Sequence, residues 1–392
     1  MKFSQLSLVA AALAVTTASA APVKIGFITT LTTPAAVIGK DMQNSVNLAM
    51  EHLGGKAGST PLEVIFADDG FKPDVGKQAS DRLVKQENVD FVAGYIWSHV
   101  LLASQKSVLD SGKFLISANA GPSPMAGKLC HKNFFSSSWQ NDQTPMALGE
   151  VMNQKGVKSV YIMMPNYAAS MDMIKGFERT FKGKVVGKDL TKWGADAQLD
   201  FSAELAKARA SKADAIYVFY PGAAGPAFLK QYQQAGLNKV MPLYTTFTVD
   251  AISLPRLQKA NLSGVLGSRT TQQWDPTLDN PANKRFVADY RKKFGAYPSY
   301  YGAQAYDAIM LIASAVKAVG GDVSNPDKVR AALKAANFDS VRGSFRYNSN
   351  HFPIQNFYLR EFVPDAQGNW SSKVVGTVFK DHADPYVSEC KM

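Results

Sequence analysis

The chain alternates short apolar strands with amphipathic helical stretches almost from its start, and that order restricts the fold more than any other feature. Val23–Thr29 reads as a strand buried on both faces. A Thr/Pro loop leads to Ile38–Leu53, where Val46, Ala49, Met50 and Leu53 recur at helical spacing. Leu62–Ala67 and Asp74–Gln86 repeat the cycle, as do Phe91–Ala93 with Leu101–Leu109, and Phe114–Ser117 with the turn after it. Repeated strand-then-helix units predict a parallel sheet covered on both faces.

A second series follows Phe134–Ser138. Helical Met146–Gln154 precedes strand Val160–Met164, helix Met171–Phe181 and strand Val185–Val186. Phe201–Ala210, Ala215–Phe219, Phe228–Gln234 and Met241–Tyr244 continue it. Two α/β series of similar size predict two similar lobes, and 392 residues exceed what one core usually holds. Helices at Asn283–Phe294, Tyr301–Val319 and Asp327–Ala335 then precede strands at Gly343–Tyr347, Phe357–Val363 and Lys373–Val378. The chain is therefore expected to return to the first lobe and then partly to the second.

The N-terminus carries a different signal. Lys2, the apolar run Leu6–Val15 and Ala18-Ser19-Ala20 form a secretory leader, with cleavage expected near Ala20. The run is too short for a membrane span, and the structural alternative is a buried N-terminal helix. An exported protein meets oxidising conditions, so Cys130 and Cys390, the only cysteines, are expected to pair. No Cys sits at the cleavage site, which argues against a lipid anchor. The formal charge of +11 is scattered, densest at Lys182/Lys184/Lys188/Lys192 and Arg291/Lys292/Lys293. Neither group has the aromatic interleaving of a nucleic-acid platform. Five scattered His give no HExxH or paired ligand spacing, so neither metal nor cofactor is expected.

Open α/β sheets bind ligands beyond the C-terminal ends of their strands. Those ends fall at Thr29–Pro34, Gly94–Val100, Ser117–Pro124, Met164–Ala169, Tyr220–Gly225 and Tyr244–Val249. Hydroxyl, amide and aromatic residues are frequent there, suited to hydrogen bonding and stacking. The alternation locates these loops without saying what they bind.

From Val23 to Val378 the chain resembles the type I periplasmic solute-binding proteins of ABC importers, the branched-chain amino-acid-binding group. The likeness rests on Val23–Phe27 with Ile38-Gly39, Phe91–Gly94 followed by Ser98, Ile116-Ser117, Tyr161–Tyr167, Asp200–Ser202, Gln231–Leu237, Tyr297-Pro298 and Tyr306–Ala308. It implies an α/β fold of two Rossmann-like lobes joined by three crossovers, near Ser136–Gln140, Thr270–Trp274 and Tyr347–His351. The lobes would be 21–138 plus 273–348 and 139–272 plus 349–380, with a tail at 381–392. It also implies a small carboxylate ligand, hinge closure, separate permease and ATPase chains, a periplasmic location and a monomer.

Ligand positions carry over residue by residue. Ser98 and the backbone of Asn119, Ala120 and Gly121 would hold a carboxylate, although Ser98 also suits a helix cap and Gly121 a tight turn. Tyr167 would close over the ligand and Tyr301 sits near the crossovers. Tyr95, Trp97 and Phe247 are candidate aromatic walls, with core packing as their alternative; Gly222 and Thr246 complete the set. One departure stands out. The group's amino-acid binders hold the ammonium with an acidic residue near Tyr244–Val249, yet no carboxylate occurs here before Asp250. An unpaired buried ammonium is costly. Segments Asn119–Pro124, Cys130–Phe135 and Trp139–Asp142 resemble a branch that takes aromatic or hydrophobic carboxylates. A branched-chain amino-acid or amide binder, or a ligand-sensing ectodomain partner, is the alternative. Asp68-Asp69 and Ser98-His99 are the nearest approach to catalytic pairs; without a GxSxG elbow or P-loop, no enzyme is expected.

Overall fold

The computed structural model describes residues 21–194 and 197–392; the leader expected over 1–20 lies outside them. The chain runs β1 (Val23–Thr29), α1 (Ala36–His52), β2 (Lys56–Ala57), β3 (Thr60–Asp68), α2 (Pro73–Lys85), β4 (Phe91–Gly94), α3 (Ser98–Asp110), β5 (Phe114–Ser117), the short α4 (Ser123–Ala126) and β6 (Phe134–Ser136). These strands form one sheet in the order β2-β3-β1-β4-β5-β6, parallel except for the β2–β3 hairpin. β1 lies inside it, and its run of Ile25, Phe27 and Ile28 is fully buried. The two-residue β2 offered no periodicity to read.

The second sheet takes α5 (Gln143–Gln154), β7 (Ser159–Pro165), α6 (Ala168–Thr180), β8 (Lys184–Thr191), α7 (Ser202–Ala210), β9 (Ala215–Val218), α8 (Ala224–Gln234), β10 (Leu243–Thr245), α9 (Leu254–Lys259) and β11 (Arg269–Gln272). Helices α10 (Pro281–Phe294), α11 (Tyr300–Ala318) and α12 (Pro326–Ala335) then return to the first lobe, where α11 packs along α1. β12 (Arg346–Tyr347), β13 (Pro353–Pro364) and β14 (Trp370–His382) go back to the second sheet, whose order is β12-β13-β11-β10-β9-β7-β8 with β14 on β13. The parallel core ends in antiparallel strands at β11–β13–β14. This is the mixed α/β architecture expected from the alternation.

Three details differ from the sequence reading. β8 is an edge strand with alternating exposed and half-buried residues, and its apolar residues Val185, Val186 and Leu190 fill only three of its eight positions. The crossover placed near Thr270–Trp274 begins later, because Arg269–Gln272 is strand β11. Arg346-Tyr347, placed within the first lobe, pairs with Pro353-Ile354 at the edge of the second sheet.

The crossovers are tied together by buried polar groups. The Arg342 guanidinium donates to Ser137 O at 2.7 Å, Ser138 O at 3.0 Å and Gln355 Oε1 at 2.8 Å, and pairs with Asp307 at 3.2 Å. Gln273 Nε2 donates to Gln304 Oε1 at 2.7 Å, joining another crossover to α11. Cys130 and Cys390 are disulfide-linked, with Cα atoms 5.6 Å apart, which brings the C-terminal tail to the first lobe.

Candidate functional site

Two glycine-dependent features shape the cleft. Gly94 ends β4 with φ +111°, and a Cβ there would fall 2.1 Å from Ile28 O, so no side chain fits. The backbone passes close to β1, turns at Tyr95 (φ +64°) and delivers Trp97 and Ser98 to the space between the lobes. Gly121 likewise has its Cβ position 2.0 Å from Trp139 O, drawing the first-lobe loop onto the crossover.

Trp97 is locked in place. Its Nε1 donates to Thr30 Oγ1 at 2.8 Å, Thr30 donates to Asp69 Oδ1 at 2.6 Å, and its ring stacks on Phe71 with centroids 4.2 Å apart. Ser98 is the first residue of α3, and no side chain caps that helix; the Val100 amide turns back to Trp97 O at 3.1 Å, and the Ser98 and His99 amides are left without a partner among the described residues. The Ser98 hydroxyl therefore does not act as the anticipated cap. It accepts from Asn141 Nδ2 at 3.1 Å, which leaves its own proton to donate. Asn141 Nδ2 also donates to Asp172 Oδ2 at 3.0 Å.

A cavity with only about 10 Å³ of free space lies between the lobes, far below the roughly 300–1,000 Å³ usual for ligand sites. Ile96, Trp97, Ser98, Asn119, Ala120, Trp139 and Asn141 line one side. Tyr167, Ala169, Met173, Phe219, Pro221 and Phe247 line the other, with Tyr301 from α11. The aromatic rings fall into two groups. Near Ser98, Trp97 and Tyr167 pack with Phe71, His99 and Trp193. At the other end Trp139 stacks on Phe247 at 4.7 Å and both pack against Tyr300, while Phe219 bridges the groups.

Among the described residues, no acidic or basic side chain lines this cavity. Burial pushes the His99 imidazole down to about 4, so it is neutral near pH 7. Burial also raises the Tyr167 and Tyr301 phenols, which stay protonated donors. The donors this cavity offers are neutral dipoles: Ser98 Oγ, the α3 N-terminus and the phenols.

The structure brings together Trp97, Ser98, Asn119, Ala120, Tyr167, Phe247 and Tyr301 from the sequence-derived set. It does not bring in the other four. Tyr95 points behind the sheet, its hydroxyl 2.7 Å from Ser80 Oγ. Thr246 Oγ1 pairs with the Tyr217 hydroxyl at 3.0 Å. Gly222 turns the chain at φ +67° beside Ile38. The Gly121 amide goes to Asn141 Oδ1 at 3.3 Å, and the Ala120 amide to Tyr95 O at 3.0 Å, so neither is left for a ligand. Asp250 lines a separate cavity with Trp274, Tyr297 and Trp370, where its carboxylate accepts the Ile252 and Ser253 amides. Trp139, Asn141 and Phe219 were missed. The first two lie in a crossover rather than at a strand end, and Phe219 reads as the last residue of a strand.

Among the described residues no group of His, Cys, Asp and Glu is arranged to hold a metal ion. No described helix is long and apolar enough to cross a membrane.

Comparison with known proteins gives a consistent picture. The chain is 28% identical over 397 residues to a Leu/Ile/Val-binding protein homolog 6 of Brucella abortus, covering 98% of each. A solute-binding protein of an ABC transporter from R. palustris, solved in complex with benzoate, superposes with a TM-score of 0.87 at 30% identity, covering 95% of this chain and 100% of that one. A second, from Rhodopseudomonas palustris HaA2 with p-hydroxybenzoic acid, gives 0.86 at 26% identity over 94% of this chain and 100% of that one. The family model described as periplasmic binding protein matches residues 22–368, and the chain belongs to that family.

Proposed function

We propose that this protein is the extracytoplasmic solute-binding component of an ABC importer and that it captures a small aromatic or hydrophobic carboxylate between its lobes. The observation that carries the ligand class is the absence of any charged side chain among the described residues that line the cavity. An amino acid would bury its ammonium against rings and neutral dipoles with no counter-charge, which is costly. An aromatic acid places its carboxylate at Ser98 and the α3 N-terminus and its ring among Trp97, Phe219, Trp139 and Phe247. The benzoate and p-hydroxybenzoic acid held by the two R. palustris proteins support the same class.

In this reading the leader is cleaved near Ala20, the protein works in the periplasm as a monomer, and separate permease and ATPase chains complete the importer. The ligand leaves unchanged, since an imidazole lowered to about 4 is a poor base and the Ser98 hydroxyl is held by Asn141 rather than by His99. Calorimetry with benzoate and leucine side by side tests the proposal. Benzoate is expected to bind and leucine to bind weakly or not at all. Tight leucine binding without a response to benzoate would overturn it.

A further inference from the structure

One of the residues that line the cavity, Trp139, carries a buried donor that has no partner. Trp139 is 2% exposed, and its Nε1 makes no hydrogen bond to any described residue. The contrast with other buried indoles is direct: Trp97 Nε1 is held by Thr30 and Trp274 Nε1 by Asn283 Oδ1 at 2.8 Å. Trp193 Nε1 is also unpartnered but does not line this cavity.

An indole N–H can donate and nothing else, so its only remedy is an acceptor. Trp139 belongs to the aromatic group with Phe247 and Tyr300, away from the Trp97–Tyr167 group beside Ser98. Tyr301, whose ring lies 4.0 Å from that of Tyr300, lines the cavity beside the same group. A ligand anchored by its carboxylate at Ser98 presents the far edge of its ring there. The unsubstituted ring of benzoate has no acceptor at that edge.

Resting on the aromatic-acid reading above, we infer that Trp139 is a specificity-determining residue that selects aromatic acids bearing an oxygen on the ring, a hydroxyl or a methoxy group, over the unsubstituted acid. A ring oxygen accepts from Trp139 Nε1, and a ring hydroxyl has its own proton left for Tyr301. A site that leaves a buried donor unpaired with one ligand and pairs it with another discriminates strongly between them.

The test compares benzoate, 3-hydroxybenzoate, 4-hydroxybenzoate and 4-methoxybenzoate by calorimetry on the wild-type protein and on Trp139→Phe. At least one oxygenated acid is expected to bind about tenfold or more tighter than benzoate, by the cost of one unpaired buried donor. In Trp139→Phe the ratio of affinities should fall toward one, whatever happens to benzoate itself. A second readout needs no variant beyond that used for assignment: the Trp139 indole N–H proton should move downfield with the preferred acid and not with benzoate. Equal binding of all four acids by the wild type, or a ratio that survives in Trp139→Phe, overturns this inference and leaves the aromatic-acid reading standing. Binding of leucine with no response to any of the four acids overturns both.

Discussion

Asp172 of α6 and Ser123 of α4 meet across the cleft: the Ser123 amide donates to Asp172 Oδ2 at 2.8 Å and its hydroxyl to Oδ1 at 2.7 Å. The same carboxylate accepts from Asn141, which in turn holds the Ser98 hydroxyl. One buried acid thus joins the second lobe to the first and, through one amide, to the group expected to meet the ligand. Burial raises the Asp172 carboxyl, while the Ser123 and Asn141 bonds favour its charged form.

Ser123→Ala removes one of these bonds and should speed ligand release several-fold, the equivalent of about 1 kcal/mol. Asp172→Ala strips every acceptor at once and should act more strongly, with association little changed because the open cleft does not contain the contact. Stopped-flow release measurements decide it. Release rates unaffected by both changes would mean that closure does not depend on this contact.

Asp69 makes a pH prediction. Burial pushes its carboxyl up to about 6, against the bonds from Thr30 and the Phe71 amide that favour the charged form. The folded protein therefore holds this proton more tightly than the unfolded chain, where an Asp titrates near about 3.9. The stability that this group contributes is complete below the unfolded value and is lost as pH rises through about 6. Asp69→Asn is neutral throughout and keeps an acceptor for Thr30. The stability of wild type relative to Asp69→Asn should fall between pH 4 and 7, by on the order of 1–3 kcal/mol. Urea unfolding across that range checks it, and a flat difference would contradict it.

The disulfide predicts a stability loss. Cys130 and Cys390 close a loop of sequence separation 260, and the chain-entropy model assigns such a closure roughly 5 kcal/mol. The tail has further attachments: the Tyr386 hydroxyl donates to Asp142 Oδ2 at 3.0 Å, and Lys175 and Arg179 lie over its ring. The double variant Cys130→Ser/Cys390→Ser should therefore fold but unfold at clearly lower denaturant. The native exported protein should show no alkylatable thiol before reduction. An unshifted midpoint, or two reactive thiols, would refute the assignment.

These sites differ in how far the sequence exposed them. β1 and β5 were legible residue for residue, since both are apolar runs buried on every side. β8 was not, because an edge strand with one half-buried face carries a diluted pattern. Within the site, Ser98 and Trp97 were found because they follow a parallel strand, where an open sheet keeps its loops free. Tyr95 satisfied the same rule and points the other way; the positive φ that turns it toward Ser80 leaves no mark in its residue type. Trp139 and Asn141 escaped because they lie in a crossover, and what a crossover faces depends on how two separate lobes meet.

The last prediction concerns that crossover. Arg342 is buried, and its guanidinium satisfies the Ser137 and Ser138 carbonyls, Gln355 and Asp307 together. Arg342→Met fills similar space but leaves the Asp307 carboxylate buried without its counter-charge, with only Ser340 Oγ and the Val341 amide to hold it. Breaking a buried pair from one side costs roughly 3–5 kcal/mol. Adding Asp307→Asn should recover part of that loss, because the orphaned charge goes with it, while the Ser137 carbonyl stays without Arg342 and the Ser138 carbonyl keeps only Gln355 Nε2 at 2.7 Å. Trp139 follows Ser138 directly, so removing one of the two donors to that carbonyl should also loosen the wall of the cavity. The double variant is therefore expected to regain stability without regaining ligand affinity. Urea unfolding and calorimetry on the single and double variants separate the two effects. Full recovery of affinity in the double variant would show that Arg342 serves the fold alone and does not set the position of Trp139.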